Sequence, residues 1–209
     1  MSEALADVYV RLEGTKGECT DAAHPGDKGW IQIKSFSFGF GMHEGSWDSG
    51  DSTAKSSGGA GDGTSSGKAG ASNLPLDFPE VTITKSSDLA STPLLKEKCH
   101  EGGSIPMLEL IACRYGGNDR KRPKIPFLRI IFKKVYINSI SLSLSQDELP
   151  GETIKFTYDI VQMETIWTDN ETGDRLTSEP NRCGWDKSVN KEYKEHIKSS
   201  EVDLQTSEA

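Results

Sequence analysis

Residues 29–45 read GWIQIKSFSFGFGMHEG. The stretch begins as a strand, with Ile31 and Ile33 on one side. Further on, the large apolar residues are Phe36, Phe38 and Phe40, which fall on the opposite phase. Ser35, Ser37, Gly39 and Gly41 alternate with them, and then the pattern gives way to Gly and Ser. A strand within one flat sheet keeps the same buried side. A strand that bends or bulges can pass from one sheet to another, and its core-facing side swaps as it does. The stretch therefore predicts a mainly β fold, a two-sheet barrel or sandwich. Its small side, Ser35, Ser37, Gly39 and Gly41, then faces outward, as a surface meeting a neighbouring subunit would.

The rest of the chain supports strands. DVYVRLE (7–13) alternates Val8, Val10 and Leu12 with Tyr9 and Arg11, and EVTIT (80–84) alternates Val81 and Ile83 with threonines. IPMLELIACRY (105–115) and IPFLRIIFKKVYI (125–137) are long and largely apolar, as burial on both sides requires. SISLSLS (139–145) alternates Ile140, Leu142 and Leu144 with serines. The run 152–167 buries Ile154, Phe156, Tyr158 and Ile160, then continues on the other phase with Val161, Met163 and Trp167. One short helix is expected over 91–103. Ser91 or Thr92 can cap it, Pro93 suits its first turn, Leu95 and Cys99 share a face, and Gly102 and Gly103 can end it.

Residues 44–73 differ from this pattern. Of these 30 residues 16 are Gly or Ser, and Trp47 is the only large apolar one. The tract buries too little surface to offset its ordering entropy, so a long Gly/Ser-rich loop over 41–77 is expected. At roughly 30 Å its root-mean-square reach as a coil would span to another subunit. His43 and Trp47 lie on this arm. The domain is expected over 1–190, with a polar tail over 191–209.

Of 209 residues 34% are hydrophobic and 27% charged, with a net charge of −8, which argues against nucleic acid as the main partner. The first residues, MSEALADVYVRLEG, hold no apolar signal core, and no run approaches a membrane span. Cys19, Cys99, Cys113 and Cys183 form no CxxC pair, so reduced thiols are expected and a zinc site is not. His24, His43, His100 and His196 stand alone, with no HExxH. GTSSG (63–67) matches GxSxG but lies in low-complexity sequence, without the strand and helix a nucleophile elbow needs. RYGGNDRKRPK (114–124) gathers Arg120, Lys121 and Arg122 among other cations. It reads as a solvated hairpin loop, or as a basic patch for an acidic neighbour such as a second copy of this acidic chain. No catalytic, cofactor-binding or metal-binding set emerges.

Four blocks resemble the haemolysin-coregulated protein (Hcp) family, the tube subunits of the bacterial type VI secretion system. The first is DVYVRLEGTKGECTDAAHPGDKGWIQIKSFSFGF (7–40), similar to the family's opening strand, its GxxxGES-D turn and its second strand. The second, VTITKSSDLASTPLLKEKCHEGG (81–103), carries a K-x-x-D-x-x-S/T-P pattern before a short helix. The third, IIFKKVYINSISLSLSQDELPGETIKFTYDIVQMET (130–165), is similar to a pair of late strands joined by an acidic turn. The fourth is GWD (184–186) followed by VNK. The long 41–77 loop, LSLS in place of the family's GG, and the tail beyond Lys191 depart from the family.

The resemblance implies a barrel with a helix on its side, six-membered rings around a wide pore, and rings stacked into a tube inside a contractile sheath. It implies effector proteins carried in the lumen, and sheath and spike proteins as partners. It also implies a location in the bacterial cytoplasm before export without a signal peptide. Ser35, Ser37, Gly39, Gly41, His43, Trp47, Arg120, Lys121 and Arg122 are then candidate subunit contacts. The alternative from another class is a β-sandwich binding module for glycans or a surface partner, with Trp30, Trp47 or Trp167 as contacts. An enzymatic extension is discounted, because the tail is too short and polar.

Overall fold

The bend in the opening stretch closes a barrel. The computed structural model describes residues 6–42, 76–99, 103–115, 124–146, 149–169, 176 and 181–195. Strand β1 (Ala6–Leu12) pairs antiparallel with β2 (Trp30–Ile33), Val8 opposite Ile33. After a single intervening residue, β3 (Ser35–Ser37) pairs with β6 (Val81–Ser86), Ser35 opposite Thr84. Lys34 makes the corner, its N–H donating to the Thr84 carbonyl at 2.7 Å. Lys34 and Ser35 are both exposed, so two consecutive residues face water, as at a bulge. The core side then resumes with Phe36, opposite Ile83, and Phe38, whose ring meets Phe132 edge-on at 5.6 Å.

The other staves are β7 (Ile105–Tyr115), β8 (Lys124–Ser143) and β9 (Gly151–Thr165). β7 lies between β1 and β8, and β9 lies between β8 and β6. Following the partners from β1 through β7, β8, β9, β6 and β3 into β2 leads back to β1. Closure of this kind removes the free edges that an open sheet exposes. Buried Val10, Ile31, Ile83, Leu108, Ile154 and Phe156 fill the interior.

β8 joins the two runs 125–137 and 139–145 into one strand of 20 residues. It wraps the barrel by means of two irregularities. Lys134 adopts a positive φ of 52°, and the register shifts between Ile137 and Ser139. Bulged Asn138 donates to Glu80 at 2.6 Å. β9 changes partner half-way. Residues 151–156 pair with β6, and residues 160–165 pair with β10 (Asn181–Asp186), beyond which lies β11 (Lys191–Glu192). The expected phase switch in 152–167 occurs between Tyr158 and Val161: Phe132 packs against Phe156 and Tyr158, and Val161 lies opposite Phe132 on the same side. Ile154, Phe156 and Tyr158 are buried in the first phase and Val161 in the second, while Trp167 is exposed. Gln162 and Glu164, on the other side of β9 from Val161, are buried as well, Glu164 against buried Arg129, which an apolar periodicity cannot register.

Helix α1 (Ser91–Cys99) is entered through Asp88, which accepts the Ala90 N–H at 2.9 Å. Its anchors are Ala90 and Leu94, both buried, whereas Leu95 points to solvent. Cys19, Cys113 and Cys183 are free thiols. Residues Met1–Phe38 with Glu80–Ala209 form one compact unit, and Gly39–Pro79 a second. In the second, β4 (Gly41–Met42) pairs antiparallel with β5 (Leu76–Asp77), Gly41 opposite Asp77.

Candidate assembly surface

The outside of the barrel is finished in two different ways. Over β1 and β7 it is covered by the connection from β1 to β2. Gly17 in this connection lies so close to β2 that a Cβ there would sit 2.1 Å from the Trp30 carbonyl oxygen. Asp21 organises the turn, accepting from the N–H groups of Ala23 and His24 at 3.0 and 3.1 Å and lying 3.0 Å from His24 Nδ1. The His24 ring stacks on Tyr9 at 4.3 Å and meets Trp30 edge-on at 4.9 Å. Lys124, at the start of β8, binds Asp7 at 2.8 Å and also reaches Asp21 and the Tyr9 hydroxyl. Burial opposes the charge on Asp21, but hydrogen bonds from Lys124 and His24 outweigh it and hold its pKa at about 2. Burial pushes the Cys113 thiol up to about 12, so it packs as an apolar group beside Tyr9 and Trp30.

A chain of five charges of alternating sign runs on the same side of the sheet, crossing β1, β7, β8, β9 and β10. Arg11 meets Glu109 at 2.8 Å, Glu109 meets Arg129 at 2.7 Å, Arg129 meets Glu164 at 3.1 Å and Glu164 meets Arg182 at 2.8 Å. Sequence reasoning missed it. The available signal was a Glu and an Arg in the most apolar strands, at positions where a charge is buried only with partners.

Over β3, β6, β9 and β8 the outer face is open, and hydroxyl groups pave it. Ser35 lies opposite Thr84, Thr84 opposite Thr153, and Thr153 opposite Ser141. The next row runs from Ser37 through Thr82 and Lys155 to Ser139. Ser35 and Thr84 share a hydrogen bond of 2.6 Å. Ser35, Ser37, Ser141 and Lys155 are exposed. Of the sequence-predicted contacts, Ser35 and Ser37 thus sit together on this face. Gly39 and Gly41 lie in the second compact unit, with open space where a Cβ would point. His43, Trp47, Arg120, Lys121 and Arg122 fall outside the described residues. Among the described residues, no three His, Cys, Asp or Glu side chains are placed to hold a metal, and no helix is long and apolar enough to cross a membrane.

A family model described as "Type VI secretion system effector, Hcp" matches residues 9–165. The chain belongs to the Hcp family. A solved structure described as that of a type six secretion system protein is 26% identical, with 90% of this chain and all of that chain covered, at a TM-score of 0.67. Hcp1 from Salmonella typhimurium shares the fold at 19% identity, with 90% and 99% covered and a TM-score of 0.62. The secreted protein Hcp3 from Pseudomonas aeruginosa does so at 14% identity, with 87% and 98% covered and a TM-score of 0.53. A search of curated proteins returned no significant match.

The Hcp-like pattern K-x-x-D-x-x-S/T-P has a physical role here. Lys85 is buried where β6 ends and binds Asp88 at 2.5 Å, Ser91 at 3.1 Å and Glu152 at 3.0 Å. It thus ties β6, the start of α1 and the start of β9 to one ammonium group. Burial opposes ionisation of Glu152, but hydrogen bonds from Ser91, Ser87 and Lys85 outweigh it and lower its pKa.

Proposed function

We propose that this Hcp-family chain is a structural tube subunit. It assembles into stacked six-membered rings and carries effector proteins in the lumen. The observation that supports this best is the open hydroxyl face on a barrel whose strands are otherwise closed on one another. A smooth polar face with little charge can meet a neighbouring chain or passing cargo without stranding buried ions. The subunit contacts proposed are Ser35, Ser37, Gly39 and Gly41, with His43 and Trp47 on the 41–77 arm and Arg120, Lys121 and Arg122 as a basic contact. The ring-forming part comprises 1–190, and 191–209 is a tail. The chain performs no catalysis. It leaves the producing bacterium through the secretion apparatus, in company with sheath and spike proteins.

The binding-module reading loses one of its contacts, because Trp30 is 1% exposed beneath the β1–β2 connection. Negative-stain microscopy of the purified full chain tests the tube reading. Ring particles with a central hole are expected. A monodisperse monomer at high concentration, with no rings, overturns it.

A further inference from the structure

The β1–β2 connection brings one thiol down beside another. Tyr9 of β1 lies opposite Ile111 of β7, and two residues along the same strands Asp7 lies opposite Cys113. Tyr9, Ile111 and Cys113 form a buried apolar cluster with Trp30 of β2, and Cys19 of the connection packs against it. Cys113 is 1% exposed, whereas Cys19 keeps part of its surface in solvent. The connection is held close at this point. Gly17 lies against the Trp30 carbonyl, and the Gly26 N–H donates to the Cys19 carbonyl at 2.8 Å. Both thiols lie within range of the same three charges, Asp7, Asp21 and Lys124. Cys183 is exposed on β10, separated from β7 by β8 and β9, so it cannot join this pair.

We infer that Cys19 and Cys113 are a disulfide site, reduced inside the producing cell and oxidised after export, when the bond fixes the β1–β2 connection to β7. The inference rests on the export proposed above, which carries the chain from a reducing compartment to an oxidising one. Burial raises the pKa of both thiols above the ordinary value. The thiolate is the reactive form, so the pair reacts slowly near neutral pH and stays reduced in the cell.

Hydrogen peroxide serves as the oxidant. The partly exposed Cys19 sulfur attacks one peroxide oxygen and the O–O bond breaks, which gives a sulfenic acid and water. The Cys113 sulfur then displaces the hydroxyl group, forming the S–S bond and a second water. The two thiols give up two electrons and two protons, and the peroxide takes up both. The bond closes a loop of roughly 95 residues, which removes much of the freedom of the unfolded chain. In the reduced protein, ion pairs from Lys124 to Asp7 and Asp21 hold this region, and salt weakens such pairs. The covalent bond holds it at any salt concentration.

The test uses the full chain with Cys99→Ser and Cys183→Ser, so that only the two thiols remain. Treatment with hydrogen peroxide should remove the mass of two hydrogens, abolish alkylation of both thiols and yield a linked Cys19–Cys113 peptide on proteolysis. The thermal midpoint should rise by roughly 5–15 °C, and dithiothreitol should reverse the rise. Thiol loss should be about tenfold faster at pH 8 than at pH 7. Cys19→Ala, on the connection, should fold and show no rise. Added oxygen on Cys19 with Cys113 still free, or a linked chain with an unchanged midpoint, overturns the inference. In the producing bacterium, wild-type chain from the medium should carry the bond and chain from the cytoplasm should not. Exported chain with both thiols free also overturns it. No chain in the medium removes the export reading instead, and the disulfide site then stands or falls by the purified chain alone.

Discussion

Glu109 and Arg129 face each other from β7 and β8 at 2.7 Å, with both side chains 0% exposed. Each has a second partner of opposite sign, Arg11 for Glu109 and Glu164 for Arg129. Replacing Glu109 with Gln keeps the shape and removes the charge, leaving two buried guanidinium groups undercompensated. The variant should lose about 3–5 kcal/mol in urea unfolding. Arg182→Ala, at the partly exposed end of the same chain of charges, should lose about 1 kcal/mol or less. Equal losses at the two positions would contradict this account of the network.

Two adjacent leucines of α1 should behave differently. Leu94 is 1% exposed and closes the barrel core with Ala90, whereas Leu95 is 54% exposed. Leu94→Ala should cost about 2–5 kcal/mol, because it opens a cavity where the helix meets the barrel. Leu95→Ala should stay within about 0.5 kcal/mol of wild type. Denaturant midpoints at constant slope measure both.

His24 gives the β1–β2 connection a pH dependence. Burial lowers its pKa below the ordinary 6.5, and the hydrogen bond with Asp21 offsets only part of that shift. The unfolded state therefore binds the proton more readily than the folded state, and stability falls as pH drops through 6.5 towards the folded value. The thermal midpoint should be lower at pH 5 than at pH 7.5, and His24→Gln should flatten that interval. Glu152, whose pKa is lowered from 4.5, contributes stability that is lost in more acidic solution, below about pH 4.5, so the two effects separate along the pH axis. A wild-type midpoint that rose on acidification from 7.5 to 5 would contradict the assignment.

The strands were legible in the sequence because burial on one or both sides leaves an apolar period. Ile31 and Ile33, Val81 and Ile83, and Ile154 with Phe156 are all buried as their alternation predicts. The change of sheet between Ile33 and Phe36 was legible too, because a bulge leaves a break in that period. Periodicity fails where the buried residue is charged. Glu164 is buried on the side of β9 opposite Val161, but its charge reads as surface, whereas Trp167, in the phase of buried Val161, is exposed. It fails again where a periodic apolar run extends past the barrel. Leu142 and Leu144 show the pattern of burial, but the chain leaves them exposed. On α1, two adjacent leucines look alike to a short pattern, and only the entry geometry set by Asp88 chooses Leu94. The hydroxyl face could be sensed only in part. Ser35 and Ser37 came from one strand, whereas Thr84, Thr153 and Ser141 join them through register across three others.

Lys34 has a consequence for which edits of the gene the fold tolerates. Deleting it would leave Ile31, Ile33, Phe36 and Phe38 on one unbroken alternation, which any reading of local pattern would score as a better strand. The straightened strand would lack the spare residue with which the chain leaves β1 for β6, and each later side chain would be pulled one position back along its neighbour. The barrel is thus closed by an irregularity that selection for regular strands would remove, and chain length is counted more strictly at this residue than in the connections on either side of the strand.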